Sequence, residues 1–384
     1  MNPSAARSYP HVYVHVPFCG RRCSYCDFAI AVRRDVPVAQ FVDAIMAELV
    51  TRELRLDAPS LETVYLGGGT PSKLGGEGVA RLLERIAQAA DVENLSTSSG
   101  RREITLEANP EDVTPGAAEA WARAGVNRVS LGVQSFEPRV LDWMHRGHGP
   151  DAASAAVQVL RSAGIVDLSV DLIFALPSTL ARDWGRDLER ALELRPSHLS
   201  LYGLTVEPHT PLGKWTARGE VAEAPEERYA DEFLEANERL AGAGFTHYEV
   251  SNFALPGHEA RHNSAYWSGA PYLGLGPSAH GFDGTVRRWN ADAYAEWSAR
   301  VEAGRDPIEG HETIGREERS AEEVYLGLRT TGGLAIQQNE ITMVNKWIEQ
   351  GWGVLTGSRL ALTPTGWLRL DAIAAVLTSA RSHS

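Results

Sequence analysis

Short apolar strands alternate with helical patterns along the first half of the chain. Runs rich in β-branched and aromatic residues cover 11–18, 63–66, 103–107, 128–133, 168–174 and 198–204. Helical patterns begin near Pro37 and Glu77 and cover 116–124, 151–163 and 182–194. In the first helix Phe41, Ile45 and Leu49 recur every four residues, which places them on one face. Six strand and helix repeats predict an α/β fold, a parallel sheet with helices packed outside it.

The pattern changes after residue 205. A stretch rich in Pro, Gly and Thr at 208–225 predicts a loop, and the Ser-rich and Thr-rich stretch at 91–102 predicts another. The segment beyond residue 307 predicts a small α+β domain with helices at 322–328 and 345–350, a hairpin at 353–362 and a last helix through Leu377.

Composition and charge narrow the class of protein. With 384 residues, 43% of them hydrophobic and 23% charged, the chain has an ordinary globular composition. Its formal net charge of −13 argues against nucleic acid as the main partner, because a nucleic-acid interface needs a basic face. No apolar run approaches the roughly 20 residues of a membrane-spanning helix, and the N-terminal residues lack the features of a secretory signal. We therefore expect a cytoplasmic protein with no membrane span.

All three cysteines of the chain lie close together, as Cys19, Cys23 and Cys26 in the spacing C-x3-C-x2-C. A structural zinc usually takes four cysteine or histidine ligands, and an ordinary four-iron cluster takes four cysteines. Three cysteines therefore leave one coordination position of the bound metal or cluster open, and a reaction can take place there. The alternatives are a zinc site completed by His11 or His15, and three free thiols. Disulfides are not expected, because an odd number of cysteines without a signal sequence indicates a reducing compartment.

The cysteine spacing resembles that of the radical SAM superfamily. In that superfamily three cysteines hold a [4Fe-4S] cluster, S-adenosylmethionine (SAM) chelates the open iron, and the reduced cluster cleaves SAM to a 5′-deoxyadenosyl radical. The resemblance implies a partial (β/α)6 barrel, similar to an incomplete TIM barrel, with ligands at the C-terminal strand ends. Gly67-Gly68-Gly69-Thr70-Pro71 follows the second strand, where glycines would let backbone amides bind the methionyl end of SAM. Alone, this triplet would fit a plain strand-to-helix turn equally well.

Polar residues also follow the later strands. The pattern resembles the branch of radical SAM proteins that contains oxygen-independent coproporphyrinogen dehydrogenases and HemW-like heme chaperones. In that branch the corresponding positions contact SAM, so the resemblance assigns SAM binding to Tyr13, Tyr25, Gly68, Gly69, Thr70, Glu107, Gln134, Arg146 and Asp171. It assigns no catalytic residue.

Two features separate the subgroups of this branch. The cysteine spacing of coproporphyrinogen dehydrogenases resembles C-x3-C-x2-C-x-C, and these proteins carry a longer N-terminal extension. Here Phe28 occupies the position of the fourth cysteine, and only 18 residues precede Cys19. Both features favour the heme chaperones. The alternative function is an enzyme that decarboxylates the propionates of coproporphyrinogen III oxidatively, and a winged-helix regulator with a redox cluster is disfavoured by the acidic balance.

The stretch His262-Asn263-Ser264-Ala265-Tyr266-Trp267 resembles the HN-x2-YW motif of the chaperone group, in which the resemblance links the histidine to heme. His262 would offer a neutral imidazole to iron, with aromatic surface and a cation, Arg261, close by in the sequence. The alternative is that His262 is a hydrogen-bonded structural residue under the barrel mouth. His280 is a second candidate for a heme ligand.

The resemblance covers nearly the whole chain and implies three parts: a barrel core at 1–205, an extension that packs on the barrel at 206–306, and a winged-helix-like domain at 307–384. From 311 to 384 there are eight acidic and seven basic residues, so we expect this domain to contact protein or cap the barrel rather than bind DNA. The predicted cofactors are a [4Fe-4S] cluster, SAM and heme. The predicted partners are acceptor hemoproteins, respiratory ones among them, and an electron donor for the cluster. The sequence leaves open whether SAM is cleaved and whether heme binding forms a homodimer.

Overall fold

The computed structural model describes residues 9–54, 56–57, 60–92, 95 and 102–382. Within these residues the strands are β1 (His11–Val16), β2 (Phe18–Cys19), β3 (Ala31–Val32), β4 (Thr63–Gly68), β5 (Glu103–Ala108), β6 (Arg128–Gln134), β7 (Asp167–Phe174), β8 (His198–Gly203), β9 (Thr246–Glu249), β10 (Asn252–Ala254), β11 (Tyr272–Leu275), β12 (His280–Phe282), β13 (Val286–Asn290), β14 (Ile308–Thr313), β15 (Leu334–Ala335), β16 (Gly353–Thr356) and β17 (Arg359–Leu362). The α-helices are α1 (Val38–Thr51), α2 (Gly75–Ala89), α3 (Pro115–Arg123), α4 (Pro138–Trp143), α5 (Ala152–Ser162), α6 (Trp184–Glu193), α7 (Pro211–Ala217), α8 (Glu226–Gly242), α9 (Arg261–Trp267), α10 (Tyr294–Glu302), α11 (Arg316–Leu328), α12 (Ile341–Glu349), α13 (Pro364–Trp367) and α14 (Leu370–Ser382).

Six parallel strands form the centre of the main sheet, in the order β1-β4-β5-β6-β7-β8. Helices connect successive strands of this set, as the alternating pattern predicted. The sheet continues beyond β1 with β11, which is parallel to it, and then with antiparallel β12, β13 and β14. Beyond β8 it continues with antiparallel β10 and β9. The predicted partial (β/α)6 barrel is therefore confirmed.

Apolar residues of the strands and helices fill a large core, and a second, smaller apolar cluster includes Val140 and Ile173. Val12 and Val14 of β1 are completely buried, and α1 buries Phe41, Ile45 and Leu49 on the predicted face. Burial of each such side chain stabilises the fold by roughly 1.5–3 kcal/mol. The spacing of apolar residues in the sequence therefore fixes which side of each helix faces the barrel.

A buried carboxylate ties the segment after residue 206 to the barrel. Glu48 of α1 has no solvent exposure and accepts hydrogen bonds at 2.7–3.0 Å from Arg52, the backbone N–H of Gly276, and the side chains of Asn290 and Trp297. These four donors satisfy a buried charge that would otherwise be strongly destabilising. Glu48 thereby fixes β13 and α10 against α1.

The loop prediction for 208–225 is partly wrong, because the stretch contains the helix α7. The hydroxyl of Thr210 accepts from the backbone N–H of Gly213, and Pro211 occupies the first helical turn, where its missing N–H has no effect. The burial of Leu212 then anchors the helix. The short helix α4 was also not predicted. The loop predicted at 91–102 lies mostly outside the described residues.

The C-terminal part combines α11 to α14 with an antiparallel sheet in the order β15-β17-β16, which agrees with the predicted small α+β domain. Trp367 links its helices by donating from its indole N–H to the carbonyl of Leu328. An isolated bridge between Thr330 and Glu249 joins this part to the barrel sheet. The boundaries at 205/206 and 306/307 stay predictions. None of the described helices is long and apolar enough to cross a membrane.

Candidate cluster and ligand site

The C-terminal ends of the parallel strands enclose a cavity of about 580 Å³, called here the cluster cavity. Its walls contain all three cysteines and eight of the nine residues assigned to SAM, namely Cys19, Cys23, Cys26, Tyr25, Gly68, Gly69, Thr70, Glu107, Gln134, Arg146 and Asp171. Residues far apart in the sequence meet because parallel strands end at one edge of the barrel. The ninth residue, Tyr13, lies in an adjoining cavity.

The three thiols of the cluster cavity are free, and two have polar neighbours. Cys19 Sγ lies 3.3 Å from the hydroxyl of Thr70, and Cys23 Sγ lies 3.6 Å from Nη1 of Arg146. Burial raises the pKa of Cys19, and it raises the pKa of Cys26 to about 11. Without a bound cation, Cys19 and Cys26 are therefore protonated at neutral pH. Bound iron would supply the positive charge that makes thiolates stable, so the donor set fits an iron–sulfur cluster.

The geometry gives no support to a zinc site completed by a histidine. Nε2 of His15 donates to the carbonyl of Ala29 at 2.9 Å, which leaves Nδ1 to accept from the Tyr13 hydroxyl at 3.1 Å. His11 starts β1 at the end remote from Cys19 and bonds Thr63. Among the described residues, no three Cys, His, Asp or Glu side chains converge on a single metal ion.

The glycine stretch after β4 passes close to the backbone after β1. A Cβ on Gly69 would lie 2.7 Å from the carbonyl of Pro17, and Gly68 has a φ of +109°, so neither position tolerates a side chain. The amide of Gly68 donates to Glu107 at 3.1 Å, and that of Gly69 to the carbonyl of Val16 at 2.8 Å. Both amides therefore have partners within the barrel, and the glycines allow the two chain segments to pack closely. The assignment of Gly68 and Gly69 to SAM stays a prediction.

Glu107 lies where the cluster cavity meets the adjoining one. Its Oε1 accepts from the Tyr65 hydroxyl at 2.7 Å and its Oε2 from the amide of Gly68. Burial raises the pKa of Glu107 from 4.5 to about 7, even though both hydrogen bonds favour the carboxylate. A positive ligand group, such as the amino group of SAM, would favour the ionised form.

Arg146 organises the opposite wall of the cluster cavity. Its Nη2 donates to Asn109 Oδ1 and to the carbonyl of Gly132, both at 2.6 Å, while Nη1 faces Cys23. Nε of Arg146 is buried and has no partner among the described residues. Asp171 accepts from the hydroxyl of Ser130 at 2.9 Å, and burial raises its pKa.

Several residues that line the cluster cavity were not predicted from the sequence, including Asn109, Lys73 and Tyr202. Asn109 directly follows β5, and Tyr202 lies at the end of β8. Both obey the rule that polar side chains at strand ends face the ligand, so applying the rule to every strand would have found them. Lys73 carries no such signal, since it lies in a short turn and pairs with Asp112 at 2.7 Å.

An adjoining cavity of about 730 Å³, called here the second cavity, lies between the barrel, β12, β13 and α11. It shares the wall residues Asp27, Phe28, Gly68 and Glu107 with the cluster cavity. Its other walls are largely aromatic and include Tyr13, Tyr266, Tyr272, Phe282 and Tyr325. Phe28 is 59% exposed and Tyr325 is 43% exposed, which leaves apolar rings uncovered in a concave space.

His262 lies inside the barrel near the start of the strands. Its side chain is buried, Nδ1 lies 2.6 Å from the hydroxyl of Thr63, and Nε2 lies 2.8 Å from the hydroxyl of Tyr266. Glu103 accepts from the backbone N–H groups of residues 261 and 262 and so fixes the start of α9. Burial lowers the pKa of His262 to about 3. These contacts match the structural alternative, and heme ligation by His262 stays a prediction that would require one of the two ring-nitrogen hydrogen bonds to break.

His280 differs from His262 in its surroundings. It lines the second cavity, is exposed, and stacks on Trp289 with ring centroids 5.8 Å apart. Neither ring nitrogen has a hydrogen-bond partner among the described residues. Burial of the ring, together with Arg287, lowers the pKa of His280, which keeps the imidazole neutral at neutral pH.

Comparison with known proteins agrees with this geometry. The radical SAM superfamily matches residues 13–191, which include the three cysteines and all the residues assigned to SAM. Membership of this class implies a [4Fe-4S] cluster and SAM.

A heme chaperone HemW of Mycobacterium tuberculosis is 38% identical over 375 residues, which cover 95% of this chain and 94% of that protein. The heme chaperone HemW of Escherichia coli is 36% identical over 275 residues, covering 70% of this chain and 69% of that protein. The chain therefore belongs to the HemW family. Its fold is similar to that of coproporphyrinogen III oxidase (HemN) from Escherichia coli, with a TM-score of 0.78, 21% identity, and coverage of 97% of this chain and 91% of that one.

Proposed function

We propose that this protein is a cytoplasmic heme chaperone that binds heme beside a [4Fe-4S] cluster and SAM and passes the heme to acceptor hemoproteins. The observation that carries the proposal is the chain-long similarity to proteins named heme chaperones, together with a cluster cavity built from three cysteines. The position that would hold a fourth cysteine in a coproporphyrinogen dehydrogenase is Phe28. An aromatic ring there offers stacking surface to a flat ligand rather than a thiolate.

Each wall of the cluster cavity has a role in this function. The three cysteines would hold the cluster, and Arg146 beside Cys23 would stabilise its negative charge. Glu107 and Asp171 would bind the amino and hydroxyl groups of SAM. When bound, the cluster and SAM supply one-electron chemistry, and the aromatic cover of the site limits access of water.

Heme transfer is the direct test. The protein is reconstituted anaerobically with iron and sulfide, loaded with heme, freed of excess heme, and mixed with an apo-hemoprotein. We expect the acceptor to gain its own heme absorbance spectrum. The matched control is the triple variant Cys19→Ala, Cys23→Ala and Cys26→Ala.

The competing function is oxidative decarboxylation of coproporphyrinogen III. It is tested on the same reconstituted protein with SAM, a reductant and coproporphyrinogen, by measuring carbon dioxide release. Decarboxylation without heme transfer would contradict the proposal, and heme transfer without decarboxylation is the expected result.

A further inference from the structure

The second cavity combines the groups that an iron porphyrin requires. Of the described residues that line it, Arg287 is the only cation with a permanent charge, and His280 is the histidine whose ring nitrogens are both free. His15, the other histidine in its wall, has both nitrogens engaged. A volume of about 730 Å³ falls within the range of roughly 300–1,000 Å³ that is usual for cofactor sites.

One face of the β12–β13 hairpin places these groups side by side. His280 lies opposite Trp289, and Phe282 lies opposite Arg287. Residues two apart in a strand share a face, so all four side chains project to the same side. The guanidinium of Arg287 lies 5.7 Å from the Phe282 ring centroid. The alternate residues, Gly281 and Arg288, belong to the other face.

Arg287 is also tied to the C-terminal part of the chain. Its guanidinium donates to Glu312 of β14 at 2.7 Å and to Glu322 of α11 at 2.5 Å. Glu322 and Tyr325 of α11 themselves line the second cavity. Arg287 is therefore already paired with the carboxylate of Glu322, and a carboxylate ligand that enters this cavity can replace it.

We propose that heme occupies the second cavity, with His280 as an axial ligand of the iron and a propionate paired to Arg287 in place of Glu322. This inference rests on the proposed function and gives it a location. The macrocycle lies against Phe28 and Tyr325, next to the wall shared with the cluster cavity. When heme enters, a propionate takes the place of Glu322 at Arg287, and α11 loses this one contact. Heme binding is thereby linked to the C-terminal domain.

Heme and metal-free protoporphyrin IX distinguish the contact of His280 with iron from the contact of Arg287 with a propionate. Heme has both iron and propionates, whereas metal-free protoporphyrin IX has only the propionates. His280→Ala should shift the Soret band and weaken heme binding about tenfold or more while leaving protoporphyrin binding unchanged. Arg287→Gln should weaken both ligands about tenfold, because each loses a charge-assisted hydrogen bond. Arg287→Lys, which keeps the charge but not the forked geometry, should lie between Arg287→Gln and wild type.

Glu322→Gln should strengthen the binding of both ligands, whereas the Arg287 substitutions weaken it. It removes the competing carboxylate from Arg287 and a negative charge from the cavity, so both ligands should bind several-fold more tightly. The matched controls are Arg288→Ala, whose side chain pairs with Asp306 on the other face of the hairpin, and His209→Ala, an exposed histidine outside the cavity. Both should bind heme like wild type.

The outcomes separate this inference from the proposed function. If wild type binds heme and the His280, Arg287 and Glu322 variants all match it, the heme site is elsewhere and the location is wrong, although the chaperone function stands. If wild type binds neither heme nor protoporphyrin, the proposed function and this inference both fail. A Soret shift in His280→Ala with tighter binding by Glu322→Gln supports the location.

Discussion

The hydroxyl of Tyr65 donates to Oε1 of Glu107 at 2.7 Å, at the wall between the two cavities. The buried carboxyl group of Glu107 makes stability depend on pH. Burial raises the pKa of Glu107 in the folded protein from 4.5 to about 7, so the folded state holds a proton that the unfolded state has already lost. The stabilisation is fully present below pH 4.5 and is lost as the pH rises through 7.

Glu107→Gln removes this titration, and Tyr65 can turn its hydroxyl to accept from the amide. Between about pH 6 and about pH 8.5, wild type should lose about 1 kcal/mol of unfolding free energy that the variant keeps. Urea unfolding of the cluster-free protein at both pH values measures the difference. The same change with pH in both proteins would show that Glu107 does not carry a raised pKa.

Glu48 is predicted to be essential for holding β13 and α10 against α1. Glu48→Ala leaves the indole N–H of Trp297 and the amide of Gly276 without a partner and the buried Arg52 without its counter-charge, so it should destabilise the protein by about 3–5 kcal/mol. Chemical denaturation measures the loss. Asp43→Ala, on the exposed side of the same helix, is the matched control and should change stability little. Equal effects of the two substitutions would refute the role of Glu48.

The three cysteines should be individually necessary for the cluster. Replacement of any one by alanine leaves too few thiolates, so anaerobic reconstitution should no longer give the roughly four irons per chain of a [4Fe-4S] cluster. Iron and sulfide analysis and the visible absorbance report the result. Ser24→Ala is the control, since Ser24 lies between Cys23 and Cys26 in the sequence, is buried, and has a hydroxyl with no partner among the described residues. A single cysteine variant with full iron content would contradict the assignment.

His262 should act as a positioning residue that holds Tyr266 in the wall of the second cavity. His262→Ala removes hydrogen bonds to Thr63 and Tyr266 and leaves a cavity, which should lower the free energy of unfolding by about 2–4 kcal/mol. The protein that remains folded should still show the wild-type position of the heme Soret band. A band that disappears from protein shown to be folded by circular dichroism would restore His262 as the heme ligand.

The strand ends could be predicted from the sequence because they depend on local patterns and on chain order. Glu107 and Gln134 lie at the ends of β5 and β6, and parallel strands bring such ends together whatever the loops between them do. Asp171 lies within β7, where its side chain still lines the cluster cavity. The three cysteines are equally local, since one short segment contains all of them.

The placement of the HN-x2-YW motif could not be predicted in this way. It depends on β11 pairing with β1, more than two hundred residues away in the sequence, and on Glu103 fixing the start of α9. Nothing near His262 in the sequence shows that Thr63 and Tyr65 will surround it. The side-by-side arrangement of His280 and Arg287 likewise appears only once the β12–β13 hairpin is formed. The helix α7 had visible signals in Thr210 and Pro211, but the Pro-rich and Gly-rich composition around them favoured a loop.

Equilibrium titration of heme into the anaerobically reconstituted wild-type protein determines whether this chain binds heme. Absorbance is followed through the Soret region, with the apo-protein lacking a cluster titrated in parallel. We predict a saturable Soret band at micromolar protein, from a single class of site, whose heme can afterwards be taken up by an apo-hemoprotein. A spectrum that remains that of free heme at every concentration would contradict the proposed function.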